Sequence, residues 1–377
     1  MMGIRWPLAA ASECRGFGGR APEVNDGETA ASIPSGSECA EGAGGGAATG
    51  RAMTKAIRFH ERGGPEVLRV EDQAVGLPGP GQARVRHTAI GVNFIDTYHR
   101  SGLYPVPLPS GLGVEGAGLV EAVGEDVRHV RVGERVAYAG GPPGAYSEAR
   151  LVPADRLVKV PDGISDRQAA AMMLKGLTVQ YLVRRTHRVK PGETVLFHAA
   201  AGGVGLIACQ WLKVLGATVI GTAGTDEKAA LARAHGADHV IVYTRESVPD
   251  RVREITGGKG VPVVYDSVGK ATFAGSLDSL QPLGLMVSFG NTSGAVPPFD
   301  IGILAQKGSL YLTRPTLFTY TARREDLEAM SAELFEVVES GKVRITVHRT
   351  FPLTEAAEAH RVLEGRGTTG STILLPT

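Results

Sequence analysis

The stretch Val195-Leu-Phe-His-Ala-Ala-Ala-Gly-Gly-Val-Gly205 runs without a break into Leu206-Ile-Ala-Cys-Gln-Trp-Leu-Lys-Val-Leu215, which carries a helical apolar face and stops at Gly216. Such a succession reads as a strand, a tight turn and a helix. Taken as A-x-G-x-x-G with Ala200 in the first position, it supplies a sharp turn, a close backbone approach to a pyrophosphate at Gly202, and tight helix packing at Gly205. A glycine pattern alone also occurs as a plain bend. With a strand before it and a helix after it, the expectation is a dinucleotide whose phosphates rest on the helix N-terminus.

The surrounding pattern agrees. Apolar runs at 194–198, 218–222, 239–243, 261–266 and 285–290 are spaced by helix-length segments, which calls for a doubly wound parallel sheet. Before it, from residue 53 to about Gly176, short apolar runs such as 83–92 and 119–123 alternate with glycine and proline, the mark of a β-rich domain. Two helical stretches at 324–340 and 354–364 and a strand at 371–375 follow the sheet and are expected to fold back onto that first domain. The expected organisation is therefore an α/β Rossmann domain, 177–312, inserted into a substrate domain made of 53–176 and 313–377. Residues 1–52 are rich in Gly, Ala and Ser and lack periodicity; they are expected to be a disordered extension, with Met53 as the natural start.

Cofactor type follows from the end of the second parallel strand. An NAD site would place an Asp or Glu there for the ribose 2′-hydroxyl, but Gly221 and Thr222 occupy it. Nothing repels a 2′-phosphate, and Lys228 offers it a cation, so NADPH is expected; Asp226 and Glu227 weigh on the other side. Tyr243 is placed to pack beside the adenosine, or equally to fill the core at its strand end. Composition narrows the partners. A net charge of +1 gives no field for nucleic acid or a charged membrane, and three scattered cysteines favour a reducing, cytoplasmic setting. The longest apolar stretch, 195–209, is broken by His198 and three glycines, so no membrane span is expected.

The segments Gly91-Val-Asn-Phe-Ile-Asp-Thr-Tyr98, Gly111-Leu-Gly-Val-Glu-Gly-Ala-Gly118, Lys175-Gly-Leu-Thr178, Ala200 to Gly205, Ser288-Phe-Gly-Asn291 and Thr313-Arg-Pro315 together resemble the medium-chain dehydrogenase/reductase superfamily. Within it, the chain resembles the zeta-crystallin-like, zinc-free NADPH:quinone oxidoreductases, which pair a GroES-like domain with a Rossmann domain. Zinc-dependent members carry Cys and His where Asn93 and Val114 stand, and neither residue is a normal zinc ligand, so no metal is expected. The resemblance implies that Asn93, Phe94, Ile95, Asp96 and Tyr98 line the nicotinamide side of the cleft, with Thr178 opposite. It implies further cofactor contacts from Gly202, Gly203, Val204, Thr225, Lys228, Tyr243, Phe289, Asn291, Leu317 and Arg366. Tyr98 and Asn93 are the expected hydrogen-bond donors, while His87, His99 and His198 read as structural. A small quinone is the expected substrate. Enone reduction, or a nucleotide-binding protein with a structural or RNA-binding role, are the alternatives. The resemblance also implies a homodimer; the segment 309–313, after the last sheet strand, is read either as pairing across a two-fold axis or as an ordinary covered edge strand.

Overall fold

Continuous apolar strands need cover on both faces, and the chain provides it with helices on either side of a parallel sheet. The structure, a computed structural model, describes residues 52–365 and 367–376. The expectations for the N-terminal extension and for Arg366 lie outside the described residues. Across the parallel sheet the strands run His239–Val242, Thr218–Ala223, Thr194–Phe197, Val261–Asp266, Leu280–Ser288 and Tyr311–Thr313. Numbered by position in the chain this is the order 3-2-1-4-5-6, with every pairing parallel, which is the Rossmann arrangement. Val195, Leu196, Val219, Ile220, Ile241, Val263, Val264, Met286 and Val287 are all buried in it. The run at 309–313 does not merely follow the sheet. Its residues Tyr311–Thr313 form the sixth strand, in parallel register with Leu285, Met286 and Val287.

The second large sheet is built from both ends of the described chain. Its order is Val347–Pro352, Ser371–Leu375, Gln82–Val92, Glu115–Val123, Arg135–Ala139 and Val158–Lys159, and Ala149–Pro153 also pairs with Gln82–Val92. Ser371–Leu375 pairs antiparallel to Gln82–Val92, so the Rossmann part is an insertion into a β-rich lobe. A smaller sheet sets Ala52–Phe59 between Arg69–Val75 and Ser110–Gly111. The strand Val347–Pro352 escapes a reading by alternation, because it lies at the sheet's edge with most of its residues exposed.

Four helices position the site: α1 (Phe94–Ser101), α2 (Asp166–Tyr181), α3 (Gly203–Val214) and α4 (Asp226–Ala234). The boundary expected at 176/177 lies within helix α2. Ser165 caps it, its Oγ accepting from Gln168 N at 3.3 Å while Gln168 Oε1 accepts from Ser165 N at 3.0 Å. Twelve of its sixteen residues are buried, because it packs on the β-rich sheet, on α3 and on the helix Arg324–Glu339. A helix covered on all sides shows little amphipathic period, which is why its sequence does not announce it.

Close packing of α2 is testable. A side chain at Gly176 would place its Cβ 2.5 Å from Leu334 Cδ1. Gly176→Val should cost about 1–3 kcal/mol by overpacking. The measurement is a urea melt, and an unchanged midpoint would show that the two helices part freely.

Candidate active site

The glycine turn is a tightly folded backbone knot. After Thr194–Phe197 the chain passes through Ala199 at φ 55°, and Ala200 N donates to Thr222 O at 2.9 Å. Gly202 N donates to Ala199 O at 2.9 Å, and α3 begins at the next residue. A Cβ at Gly205 would lie 2.3 Å from Ala199 O and 2.6 Å from Ala200 O, both main-chain atoms that cannot yield. Only glycine fits. Gly202 is bridged to Gly370, whose N–H donates to Ala201 O at 3.3 Å, so the returning C-terminal chain braces the turn from outside.

Beneath the turn, three strand ends are tied through His198. Thr222 Oγ1 accepts from Ala199 N at 3.2 Å and lies 3.1 Å from His198 Nδ1; Ser276 Oγ donates to Asp266 Oδ2 at 2.7 Å and lies 3.0 Å from His198 Nε2. Ser276 spends its proton on Asp266, so it accepts from Nε2–H, and Nδ1 takes the Thr222 proton. Burial holds the imidazole below its ordinary pKa, in keeping with this neutral form. Asp266 Oδ1 in turn accepts from Val268 N and Gly269 N at 2.7 and 3.0 Å. His198 is structural as expected, and the carboxylate that the sequence did not offer it reaches it through Ser276. This knot sits where the strand order reverses, the place at which open α/β sheets bind ligands.

The cradle fits a phosphorylated dinucleotide. The first N–H groups of a twelve-residue helix have no intrahelical partners and face anions with the positive end of the helix dipole. Thr225 caps α4, its Oγ1 accepting from Lys228 N at 3.3 Å. Asp226 is gripped by Arg245 through two contacts at 2.7 and 2.5 Å, which hold its carboxyl below the usual range. Its negative charge is thereby matched. Arg245 was missed in the sequence; its signal is a cation three residues beyond a parallel strand. Tyr243 is 49% exposed, so it does not fill the core, and its hydroxyl lies 2.7 Å from where a side chain on Gly224 would stand. Thr225, the main chain of Lys228 and the Tyr243 hydroxyl thus lie at the end of the second strand.

Asn93 caps helix α1, and the two faces of that residue do different work. Its N–H donates to Asp96 Oδ2 at 2.8 Å, an N-terminal cap, while its side chain turns to two buried charges. Lys175 Nζ donates to Asn93 Oδ1 at 2.7 Å, and Asn93 Nδ2 donates to Glu115 Oε2 at 2.7 Å. Burial raises the Glu115 pKa, against the opposing pull of Lys175. The stem of Lys175 lies on the glycine turn: a Cβ at Gly203 would be 2.9 Å from both Lys175 Cδ and Cε. Thr178 stands one turn further along the same side of α2, and is buried. Glu115 and Lys175 were overlooked as site residues. Their signal is a lone charge within an apolar or glycine-rich run.

Asp96 is turned away from solvent. It is fully buried, with Tyr146 Oη donating to Oδ2 at 2.9 Å. Tyr146 meets His360 Nε2 at 3.1 Å, His360 Nδ1 lies 2.8 Å from Arg100 Nη1, and Arg100 Nη2 donates to Glu364 at 2.6 Å. Arginine only donates, so His360 Nδ1 accepts and its Nε2–H points at Tyr146. The side chain sits at the third helical position and serves the cap, which faces it inward.

Tyr98 accepts from Asn291 N at 3.2 Å and keeps its own proton to give; burial pushes its pKa up to about 12. Tyr104 packs edge-on to Tyr98 with ring centres 5.2 Å apart and accepts from Arg314 Nη2 at 2.9 Å. With the Asn291 amide set to donate to Gly290 O at 2.9 Å, its Oδ1 accepts from Tyr104 and Arg314 at 3.2 and 3.1 Å. Three separate motifs therefore meet here. Phe94 and Ile95 are half-buried on α1, Phe289 packs on Phe197 at 5.8 Å, Val204 packs on the main core, and Leu317 is buried at the start of Leu317–Tyr320. Among the described residues, no group of three or more His, Cys, Asp or Glu side chains could hold a metal ion. Zinc does not fit at Asn93 in any case, because an ammonium already sits on its carbonyl oxygen.

The buried carboxyl of Asp96 makes stability depend on pH. Burial raises its pKa from 3.8 to about 7. A folded-state value above the unfolded one means that protonation favours the folded chain. This contribution is complete below the unfolded value and is lost as pH rises toward 7. Relative to Asp96→Asn, the wild type should therefore lose up to about 1.4 kcal/mol per pH unit between pH 5 and 7. Urea melts of both proteins across that range check it, and a constant gap would reject it.

Two family models match the chain: an alcohol dehydrogenase GroES-like domain over residues 79–162 and a zinc-binding dehydrogenase over residues 203–336. A quinone oxidoreductase of Pseudomonas aeruginosa is 60% identical over 325 residues, covering 86% of this chain and all of that one. A 2-haloacrylate reductase of a Burkholderia species is 50% identical over 335 residues, covering 86% of this chain and 99% of its own. Among solved structures, Escherichia coli quinone oxidoreductase complexed with NADPH is 54% identical with a TM-score of 0.85, covering 85% of this chain and all of that one. Likeness of this degree, over the full length of such relatives and with the same two-lobed fold, means that the chain belongs to the quinone oxidoreductase family of the medium-chain dehydrogenase/reductase superfamily.

Proposed function

We propose that this chain is an NADPH:quinone oxidoreductase that reduces small quinones without a metal. One observation carries the reading: a glycine cradle with no room for side chains abuts, through Lys175, the amide of Asn93. Bound NADPH supplies a hydride equivalent, and a quinone accepts it readily, so the protein's own task is to bind, orient and donate protons. Gly202, Gly203, Val204 and Gly205 would hold the diphosphate. Thr225, Lys228, Tyr243 and Arg245 would receive the 2′-phosphate and adenosine, with Arg366 a candidate third cation. Phe94, Ile95, Phe289, Leu317 and Thr178 would wall the nicotinamide pocket, and Asp96 supports it from behind through the α1 cap. The quinone gains a hydride and one proton to become a quinol. Tyr98 and the remaining amide hydrogen of Asn93 are the donors to its oxygens.

A second reading, reduction of an activated carbon–carbon double bond, is favoured by the likeness to the 2-haloacrylate reductase. The division into a substrate lobe and an inserted nucleotide lobe, a cytoplasmic setting and a homodimer complete the proposal. For the dimer, the edge strand Tyr311–Thr313 carries Tyr311 60% exposed, and its outer side is unpaired among the described residues. A sizing column should show twice the chain mass; a monomer removes this part.

NADPH consumption should proceed with a quinone panel and be slower with enones and 2-haloacrylates. The reverse ranking selects the second reading, and no NADPH uptake by calorimetry rejects both. Tyr98→Phe should lower quinone kcat about tenfold or more, as loss of a proton donor does, while NADPH affinity stays within twofold. Full activity would exclude Tyr98 as a donor. Lys228→Glu should raise KM for NADPH, and an unchanged value would take that residue out of the site.

A further inference from the structure

Hydride transfer to a quinone does not in itself call for a buried lysine, yet Lys175 is buried beside Glu115, which is wholly inaccessible. The Lys175 ammonium donates to Asn93 Oδ1 at 2.7 Å and to Val92 O at 3.3 Å, and the Glu115 carboxylate stands at ion-pair distance, with Oε2 3.6 Å away. The stem lies against Gly203. The carboxylate is the most distant of the three and the Asn93 amide the nearest, so the amide is what the ammonium grips. Glu115 completes the arrangement from the other side. Its Oε2 accepts from Asn93 Nδ2 and its Oε1 accepts from Leu174 N, both at 2.7 Å.

An asparagine amide has two orientations that differ little in shape. With a cation on its oxygen and an anion on its nitrogen, only one is allowed, since the flipped form sets N–H groups against an ammonium and oxygen against a carboxylate. One amide hydrogen is spent on Glu115 and one remains. We infer that Lys175, balanced by Glu115, is a positioning residue that holds the Asn93 amide in a single orientation while its stem rests on the glycine turn, so that the remaining amide hydrogen stays available to the acceptor. This rests on the proposed reading of Asn93 as a donor. The stem contact makes Gly203 part of the same device: any side chain there would displace Lys175 and, with it, the amide.

The test removes both charges together, because either alone would leave a buried ion unpaired. In the full chain, Lys175→Met with Glu115→Gln should melt cooperatively and bind NADPH, followed by nicotinamide fluorescence, with Kd within threefold of the wild type. Its kcat with p-benzoquinone should fall tenfold or more. Asn93→Ala should show a similar loss, and the triple variant should lose nothing further, since Lys175 acts only through Asn93. Unchanged kcat in the paired variant, or losses that multiply in the triple variant, would overturn the inference. So would a drop in melting temperature with kcat intact, the sign of a merely structural pair. If the paired variant does not fold, Lys175→Arg, which keeps the buried charge balanced but moves its donors off the Asn93 amide, should lower kcat at least threefold with KM for NADPH unchanged; no change there is equally fatal. A wild type that neither binds NADPH nor reduces quinone would refute the functional reading itself. A working wild type beside an unimpaired variant refutes only the role of Lys175.

Discussion

Burial of one helix on every side is the constraint from which the rest follows. Helix α2 is pressed between the β-rich sheet, α3 and Arg324–Glu339, and Ala169, Ala170, Ala171, Met172, Met173 and Leu177 are wholly removed from water. Six such side chains represent several kcal/mol of apolar transfer, ample to fix the helix against both lobes at once. Because α2 is fixed, Lys175 and Leu174 are fixed, and through them the ends of Glu115 and Asn93. The polar cluster does not hold the lobes together. It is carried into place by apolar packing and is affordable only because each charged group within it finds partners.

The Rossmann knot obeys the same logic with neutral groups. His198, Thr222, Ser276 and Asp266 form a chain in which each proton has one direction to go, and only Asp266 carries charge. Two main-chain N–H groups and two hydroxyls meet its carboxylate, which is how an anion survives with no solvent access. The strained Ala199 is thereby anchored, through its own N–H, to the second strand. Backbone strain at the phosphate turn is thus offset by hydrogen bonds one layer below it.

Legibility in the sequence divides along the range of the interactions. The parallel strands were readable because Thr194–Phe197, Thr218–Ala223 and Val261–Asp266 are apolar runs with glycine or polar punctuation, and the helix after the turn because its period is local. Helix α2 was not, since a helix apolar on all faces loses its period. The strand Val347–Pro352 was not, since an edge strand need not alternate. Within the site, Asn93 and Tyr98 stood out by family likeness. Asp96 carried a legible signature in Asn93-x-x-Asp96, that of a helix cap, which argues for an inward carboxylate. Glu115 and Lys175 lie far apart in the chain, and nothing local says that they meet. Arg245 belongs to the same class, joined to Asp226 only when two strands lie side by side.

The insertion has a mechanical consequence. The chain enters the nucleotide lobe through α2 and leaves it by Arg324–Glu339, and these two crossings are themselves pressed together at Gly176 and Leu334. A lobe hung on one tether can swivel; a second crossing packed beside the first restrains that swivel. The two adjacent crossings are joined in this by the Gly370 N–H to Ala201 O bond, a third tie placed at the glycine turn itself.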